Sequence, residues 1–368
     1  MKITIPIILW GPSYTNTFLD VVLPSYLSEL NIPLISRDHD ITLEIYTSLH
    51  SNDLISISPT ISRLKDYASV FIYPIIDEFL EDKDLNKWDI KGRVQSIAIR
   101  KAISEDSILI LLNPDAILSH NCLKNTVAIL LKGYRVINVL EFARVTSERA
   151  IPVLKRDFRG ADGVTLNISP RSLVSLSINN IHPIGELFHL DRKNVCGWPS
   201  ISYWRAGDDS ILARSFHLHP HAIDFRECRS KIPDQLMTDD GGLIEFLGFD
   251  KNKIYTVTDS DEFVLCELSS ISMDPLASID IKTNNKINYI INWAKSSCII
   301  EHLLNYNDNT FIFRGEKGIK DTYLQFKNFN NFTFYLRFKI YIIIFNKKLV
   351  QIGVKFGLKN IYYFFNKN

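Results

Sequence analysis

The stretch "SILILLNPDAIL", Ser107–Leu118, decides how the chain is read. Its apolar run does not alternate with polar residues, which is the pattern of a strand buried on both faces in a mostly parallel sheet. Pro114 supplies no N–H to a ladder, so the strand should run out there, and Asp115 emerges from it as a lone carboxylate. Such a group is costly beside an apolar strand unless it finds a partner. A metal or a sugar hydroxyl would be one; a turn or helix cap would be another.

Outward from this stretch, short apolar runs alternate with helix-like segments. "ITIPIILW" (Ile3–Trp10), "ITLEIYT" (Ile41–Thr47), "SVFIYPI" (Ser69–Ile75) and "YRVINVL" (Tyr134–Leu140) read as strands. "NTFLDVVLPSYLSEL", with Pro24 interrupting it, and "KGRVQSIAIRKAISE" read as helices, as does "HNCLKNTVAILLKG", closed by Gly133 as a C′ residue. The alternation predicts an α/β fold with a doubly wound, mostly parallel, Rossmann-like sheet. Ligands in such sheets bind beyond the carboxyl ends of the strands. Trp10, Gly11, Thr47, Asn113 and Asp115 therefore become candidate binding residues.

From Glu141 to about Asp280 the pattern loosens. A helix is expected around "SPRSLVSLSINNI", and two later strands in "SILARSFHLHPHAI" and "KIYTVTDSDEFVLCEL". "MTDDGGLIEFLG" between them suggests a turn opening a short helix, with Asp239 or Asp240 as its N-cap. The expected organisation is a catalytic body, 1–280, with a binding half (1–140) and an acceptor-side half (141–280), followed by an extension, 281–368.

That extension differs in composition. Residues 282–368 carry 12 Lys and 2 Arg against 2 Asp and 2 Glu, while the whole chain is only +1, so the body is acidic. The same segment holds 19 of the 42 aromatic residues. Aromatics interleaved with lysines suit an anionic membrane surface or single-stranded nucleic acid. The apolar density of "IYIIIF" favours the membrane, and simple helix packing or compositional drift is the remaining alternative. No stretch reaches the roughly 18 apolar residues of a spanning helix. The start "MKITIPIILWGP" reads as a buried strand rather than a signal segment. Five scattered cysteines without a C-x-x-C pair fit a reducing, cytoplasmic setting, and the composition of the extension adds an expected peripheral contact at the inner face of a membrane.

In "SFHLHPHAID" three histidines occupy alternate positions, and an extended backbone would turn His217, His219 and His221 to one face. His217 and His219 are the better metal candidates because Pro220 would turn His221 away. The alternative is a polar strand face under a loop. "TDSDEF" places Asp259 and Asp261 after an apolar run, as acceptor-activating bases, metal ligands, or merely an acidic turn. Asp239 and Asp240 carry the same ambiguity. Arg205, in the aromatic "CGWPSISYWRAGDD", and Arg144, after "YRVINVL", are candidates for phosphate contact. No P-loop, G-x-G-x-x-G, H-E-x-x-H or G-x-S-x-G occurs, so kinase, dehydrogenase, zincin and hydrolase-elbow readings lack support.

The strand–helix series with an acidic motif after the fourth strand resembles the GT-A-fold glycosyltransferases, in a sparsely characterised bacterial branch. "LWGPSYTNTFLDVVLPSYL", "IYTS" and "GYRVINVLEFARV" add to the resemblance, which spans roughly residues 3–270. Where that family has D-x-D, this chain has Asn113-Pro114-Asp115. The resemblance implies transfer from a nucleotide-diphosphate sugar to a cell-envelope glycan or glycolipid in polysaccharide biosynthesis. It further implies a divalent metal (Mn²⁺ or Mg²⁺) at Asp115 with His217 or His219, and a carboxylate base. Two other readings remain: a metal-dependent phosphoesterase or hydrolase recruiting His182 and His189, and a non-catalytic sugar-binding or scaffold relative. Nucleic acid is the least favoured partner.

Overall fold

The computed structural model describes residues 1–226, 231–236, 244, 247–273, 279–319 and 321–355. Its centre is a seven-stranded sheet of β1 (Lys2–Ile8), β2 (Asp40–Tyr46), β3 (Ser69–Tyr73), β4 (Ile108–Ile110), β6 (Val136–Val139), β11 (His219–Asp224) and β12 (Ile254–Val257). The strand order is β12-β6-β11-β4-β1-β2-β3. All neighbours are parallel except β11, which runs antiparallel to both β4 and β6. This is the α/β architecture expected from the alternating runs.

Both faces of the sheet are covered, which is why the central runs do not alternate. Ile108 and Ile110 of β4 face the core shared with Leu123 and Val127, whereas Leu109 faces Ile99 and Ala102. Those partners come from the Cys122–Leu131 and Lys87–Ser104 helices. The latter helix starts on an Asn86–Asp89 capping box, and the former closes at Gly133 with φ +94°. Early in the chain, Pro24 leaves the carbonyl of Asp20 without its helical donor. The turn before it widens to π geometry over Phe18–Val22, and Arg159 Nη2 donates to that carbonyl at 2.6 Å.

Three expected single strands are each divided between two sheets. "SILILLNPDAIL" gives β4 and, past Pro114, β5 (Ala116–Leu118). "KIYTVTDSDEFVLCEL" gives β12 and β13 (Leu265–Ser269). β5, β13 and β7 (Phe142–Thr146) form a small second sheet in the order β5-β13-β7. "SILARSFHLHPHAI" gives β10 (Ser210–Ser215) and β11, broken at Phe216–Leu218. β10 lies between β9 (Ile201–Arg205) and β15 (Phe311–Arg314) in a third sheet, and β8 (Val195–Cys196) pairs with β14 (Asp280–Ile281).

The extension is helical, through Lys286–Ser297, Ile300–Asp308 and Thr322–Lys355. It is also built into the body, because β15 pairs with β10 across the expected boundary at 280. Leu303, Phe329, Leu336 and Ile340 join Leu212 and Phe216 in one core cluster. Among the described residues, no helix is long and apolar enough to cross a membrane.

Candidate functional site

Parallel strands β1, β4 and β6 end on the same edge of the central sheet. Because β11 runs the other way, its first residue, His219, sits at that edge too, opposite Val139. The result is a shallow cleft lined by Pro6, Ile8, Lys91, Asn113, Glu141 and His219, among others. Asn113 and Glu141 follow the ends of β4 and β6, His219 opens β11, and Lys91 comes from the Lys87–Ser104 helix.

Asp115 lies at the base of this edge. Its carbonyl accepts the N–H of Leu268 at 2.9 Å, and the next residue, Ala116, is in register with Glu267 of β13. Asn113 bridges two charges: its Oδ1 accepts from Lys91 Nζ at 3.4 Å and its Nδ2 donates to Glu141 Oε2 at 3.5 Å. Burial, then the neighbouring carboxylates of Glu267 and Glu141, push the Asp115 carboxyl up to about 8, against the opposing pull of Lys91. Three acids are thus crowded beside one lysine.

Arg144 approaches from β7. It holds φ +60°, which a non-glycine residue adopts only at a cost, next to a register shift in the β13–β7 pairing. Its Nε lies 4.0 Å from Glu267 Oε1, and its guanidinium rests over the Trp198 ring at 5.9 Å. A cation held against a flat aromatic face, beside an acid, is suited to an anion or a sugar ring.

The candidate residues separate into groups. Asn113 and His219 line the cleft; Asp115 follows Asn113 by two residues without lining it and interacts electrostatically with Glu141 and Lys91, and Arg144 pairs with Glu267. His217 does not share one face with His219, because the strand breaks between them; its ring lies 4.3 Å from that of His302 and 5.9 Å from that of Trp293. His221 points into the core, where its Nε2 meets Thr126 Oγ1 at 2.9 Å, and burial lowers its pKa to about 3. Trp10, Gly11 and Thr47 stand at the ends of β1 and β2 without lining the cleft. Trp10 packs beside Ile8 and Tyr73, Gly11 takes φ +84° to open a helix, and Thr47 is buried with its carbonyl accepting from Ile76 N–H.

Arg205 pairs with Glu186 at 3.3 Å on the third sheet. Asp259 pairs with Arg314 at 3.0 Å and also caps Asp261 N–H. Asp261 is held below the usual carboxylate range by Arg171, 2.8 Å away. Their engagement with arginines ties the 258–263 turn to β15 and to the Pro170–Asn179 helix. Asp239 and Asp240 lie outside the described residues. His182 caps a short helix through its Nδ1, and His189 packs edge-on to Tyr203, so neither adds a ligand to the cleft, as the phosphoesterase reading required.

Glu141, Glu267 and Lys91 were not singled out from the sequence. Glu141 carried the same signal as Asp115, an acid directly after a buried run, here "VINVL". Glu267 and Lys91 carried none, since one sits mid-strand and the other on a helix.

The neighbouring acids and Asn113 are oxygen donors that suit a hard divalent cation, crowded acids gain most from one, and His219 would add a borderline imidazole nitrogen. Among the described residues, however, the trio with donor atoms all within 4.8 Å of one another is a different one, His217, Cys298 and His302.

No protein-family model matches this chain, and no curated protein matches it. Among solved structures, the crystal structure of mouse Xyloside xylosyltransferase 1, apo form, is similar with a TM-score of 0.28 and 10% identity. The match spans 43% of this chain and 59% of that one, so less than two thirds of that chain's length is covered.

Proposed function

We propose that the cleft transfers a glycosyl group from a nucleotide-diphosphate sugar to a hydroxyl acceptor. The observation that carries this reading is the gathering of Asp115, Glu141 and Glu267 with Lys91 and Arg144 at the carboxyl edge of an α/β sheet. Lys91 and Arg144 would hold the diphosphate, and Asn113 would orient Lys91. Asp115 and His219 would hold a divalent cation, which when bound neutralises charge on the leaving diphosphate. Glu141, facing the cleft, would take the proton of the acceptor hydroxyl as its oxygen bonds to the anomeric carbon and the anomeric carbon–phosphate oxygen bond breaks. This assignment replaces the acids of the 258–263 turn as base, since those are engaged by arginines.

The acceptor is proposed to be a cell-envelope glycan or glycolipid at a membrane surface. Support comes from the long C-terminal helix, whose buried side carries Phe329, Leu336 and Ile340 while Phe334, Phe338, Tyr341 and Phe345 form an exposed stripe. The exposed Lys327 and Lys348 flank that stripe. Rings directed outward between lysines suit the headgroup region of an anionic bilayer.

A thermal-shift panel of nucleotide-diphosphate sugars, with and without Mn²⁺, tests the cleft. One donor should stabilise the chain, and Asp115→Ala should abolish that stabilisation. Indifference to every nucleotide sugar would overturn the reading.

A further inference from the structure

A second constellation lies apart from the acidic cleft. The Lys286–Ser297 helix ends at Cys298, which takes an extended conformation (φ −109°, ψ 137°) before the next helix begins at Ile300. The break turns Cys298 towards His302, four residues on and in the first turn of that second helix. His217 enters from the opposite side, on the Phe216–Leu218 link between β10 and β11. One donor atom from each residue lies within 4.8 Å of the other two, and both Cys298 and His302 are buried. Trp293 walls the group beside His217, and Lys347 Nζ donates to the carbonyl of Cys298 at 2.9 Å.

We infer that His217, Cys298 and His302 form a transition-metal site, for zinc first of all, that clips the C-terminal helices to the β10–β11 link. The donor set decides the metal. Two neutral imidazoles and a thiolate are borderline-soft ligands, favoured by Zn²⁺ over the hard Mg²⁺ or Mn²⁺ that would suit the carboxylates of the cleft. Tetrahedral zinc, with bonds of about 2.0–2.1 Å to nitrogen and about 2.3 Å to sulfur, places donors roughly 3.3–3.6 Å apart. The three donor atoms lie within 4.8 Å of one another, and binding would draw them in to that spacing. Binding exchanges the Cys298 S–H proton for the metal and releases that proton to solvent, while both histidines bind neutral. Three protein ligands leave the fourth position to a water molecule.

The same constellation explains why His217 and His219 part company. His217 is drawn to the helical layer, and two residues later His219 enters the cleft. The clip thus anchors the segment that presents His219.

The test uses the full chain. Metal is removed with a chelator, and Co²⁺ is titrated in as a spectroscopic substitute for zinc. One equivalent of Co²⁺ should give a thiolate-to-cobalt charge-transfer band together with intense tetrahedral d–d bands, and one equivalent of Zn²⁺ should displace it. Cys298→Ser should remove the charge-transfer band, and His302→Gln should weaken zinc binding at least tenfold. Asp115→Asn should leave the band intact, which separates this site from the cleft and keeps its fate independent of the transferase reading. The wild-type titration needs no variant to fold: absence of a thiolate–cobalt band in it overturns the inference. So does a band that persists in Cys298→Ser.

Discussion

Asp115→Asn should make the metal-free protein more stable, and increasingly so as the pH rises. In the unfolded chain this carboxyl ionises near its ordinary value of 3.8, whereas in the fold it keeps its proton up to about 8. Between those values the folded state binds the extra proton, so rising pH erodes stability by up to about 1.4 kcal/mol per unit. The contribution is fully present below the unfolded value and is lost as the pH climbs through the folded one. Taken at face value, the shift costs about 4 kcal/mol at pH 7. The residue remains partly exposed and Lys91 stands nearby, so water and that charge should reduce the cost to about 2 kcal/mol. Asparagine has nearly the same shape and does not ionise. Urea denaturation of both proteins, with a chelator present and tryptophan fluorescence as the probe, should show similar midpoints near pH 4.5. By pH 8 the variant should be ahead by about 2 kcal/mol. Mn²⁺ added at pH 8 should raise the wild-type midpoint and leave the variant almost unchanged. Parallel pH profiles for the two proteins would refute the crowded-acid description of the cleft.

Glu44, fully buried on β2, is matched by Lys101 and by the Tyr46 hydroxyl. Lys101→Met leaves that carboxylate uncompensated and should cost about 3–5 kcal/mol in chemical denaturation; an unchanged midpoint would contradict it. A Cβ on Gly315 would stand 2.2 Å from the backbone oxygen of Asp209 and 2.5 Å from its Oδ2. That carboxylate is held by Ser175 and by Lys317 N–H, so Gly315→Ala should destabilise by about 3 kcal/mol, measured by thermal unfolding. In the long helix, Phe338→Ser with Phe345→Ser should leave the fold intact, because both rings are exposed, yet weaken flotation with anionic liposomes several-fold. Equal flotation removes the membrane proposal. Surface changes suit this test better than truncation at residue 280, which would strip β15 from β10 and open the core around Phe329.

Much of the α/β layout was legible because burial on both faces writes itself into composition. β1, β2 and β3 fall where the apolar runs lie, Gly133 follows the Cys122–Leu131 helix as read, and the Lys87–Ser104 helix begins before the stretch read as helical, at an Asn86–Asp89 box. Asp115 could be singled out as a candidate for a related reason, since an acid directly after such a run sits where the strand ladder ends. Runs that change sheets were harder to divide. "SFHLHPH" looks continuous, yet β10 answers to β9 and β15 while β11 answers to β4 and β6.

The sequence by itself determined the class of fold, the basic aromatic character of the C-terminal segment, and the places where buried strands give way to polar residues. Periodicity and composition are local, and they suffice for that. Which polar residues meet was decided only in three dimensions. Glu141, Glu267 and Lys91 reach Asp115 from a strand end, a mid-strand position and a helix. His217 meets Cys298 and His302 across some eighty residues of chain. Such meetings depend on the antiparallel insertion of β11 and on the packing of the C-terminal helices against the third sheet. Both are set by the summed burial of many side chains, which no single stretch of sequence records.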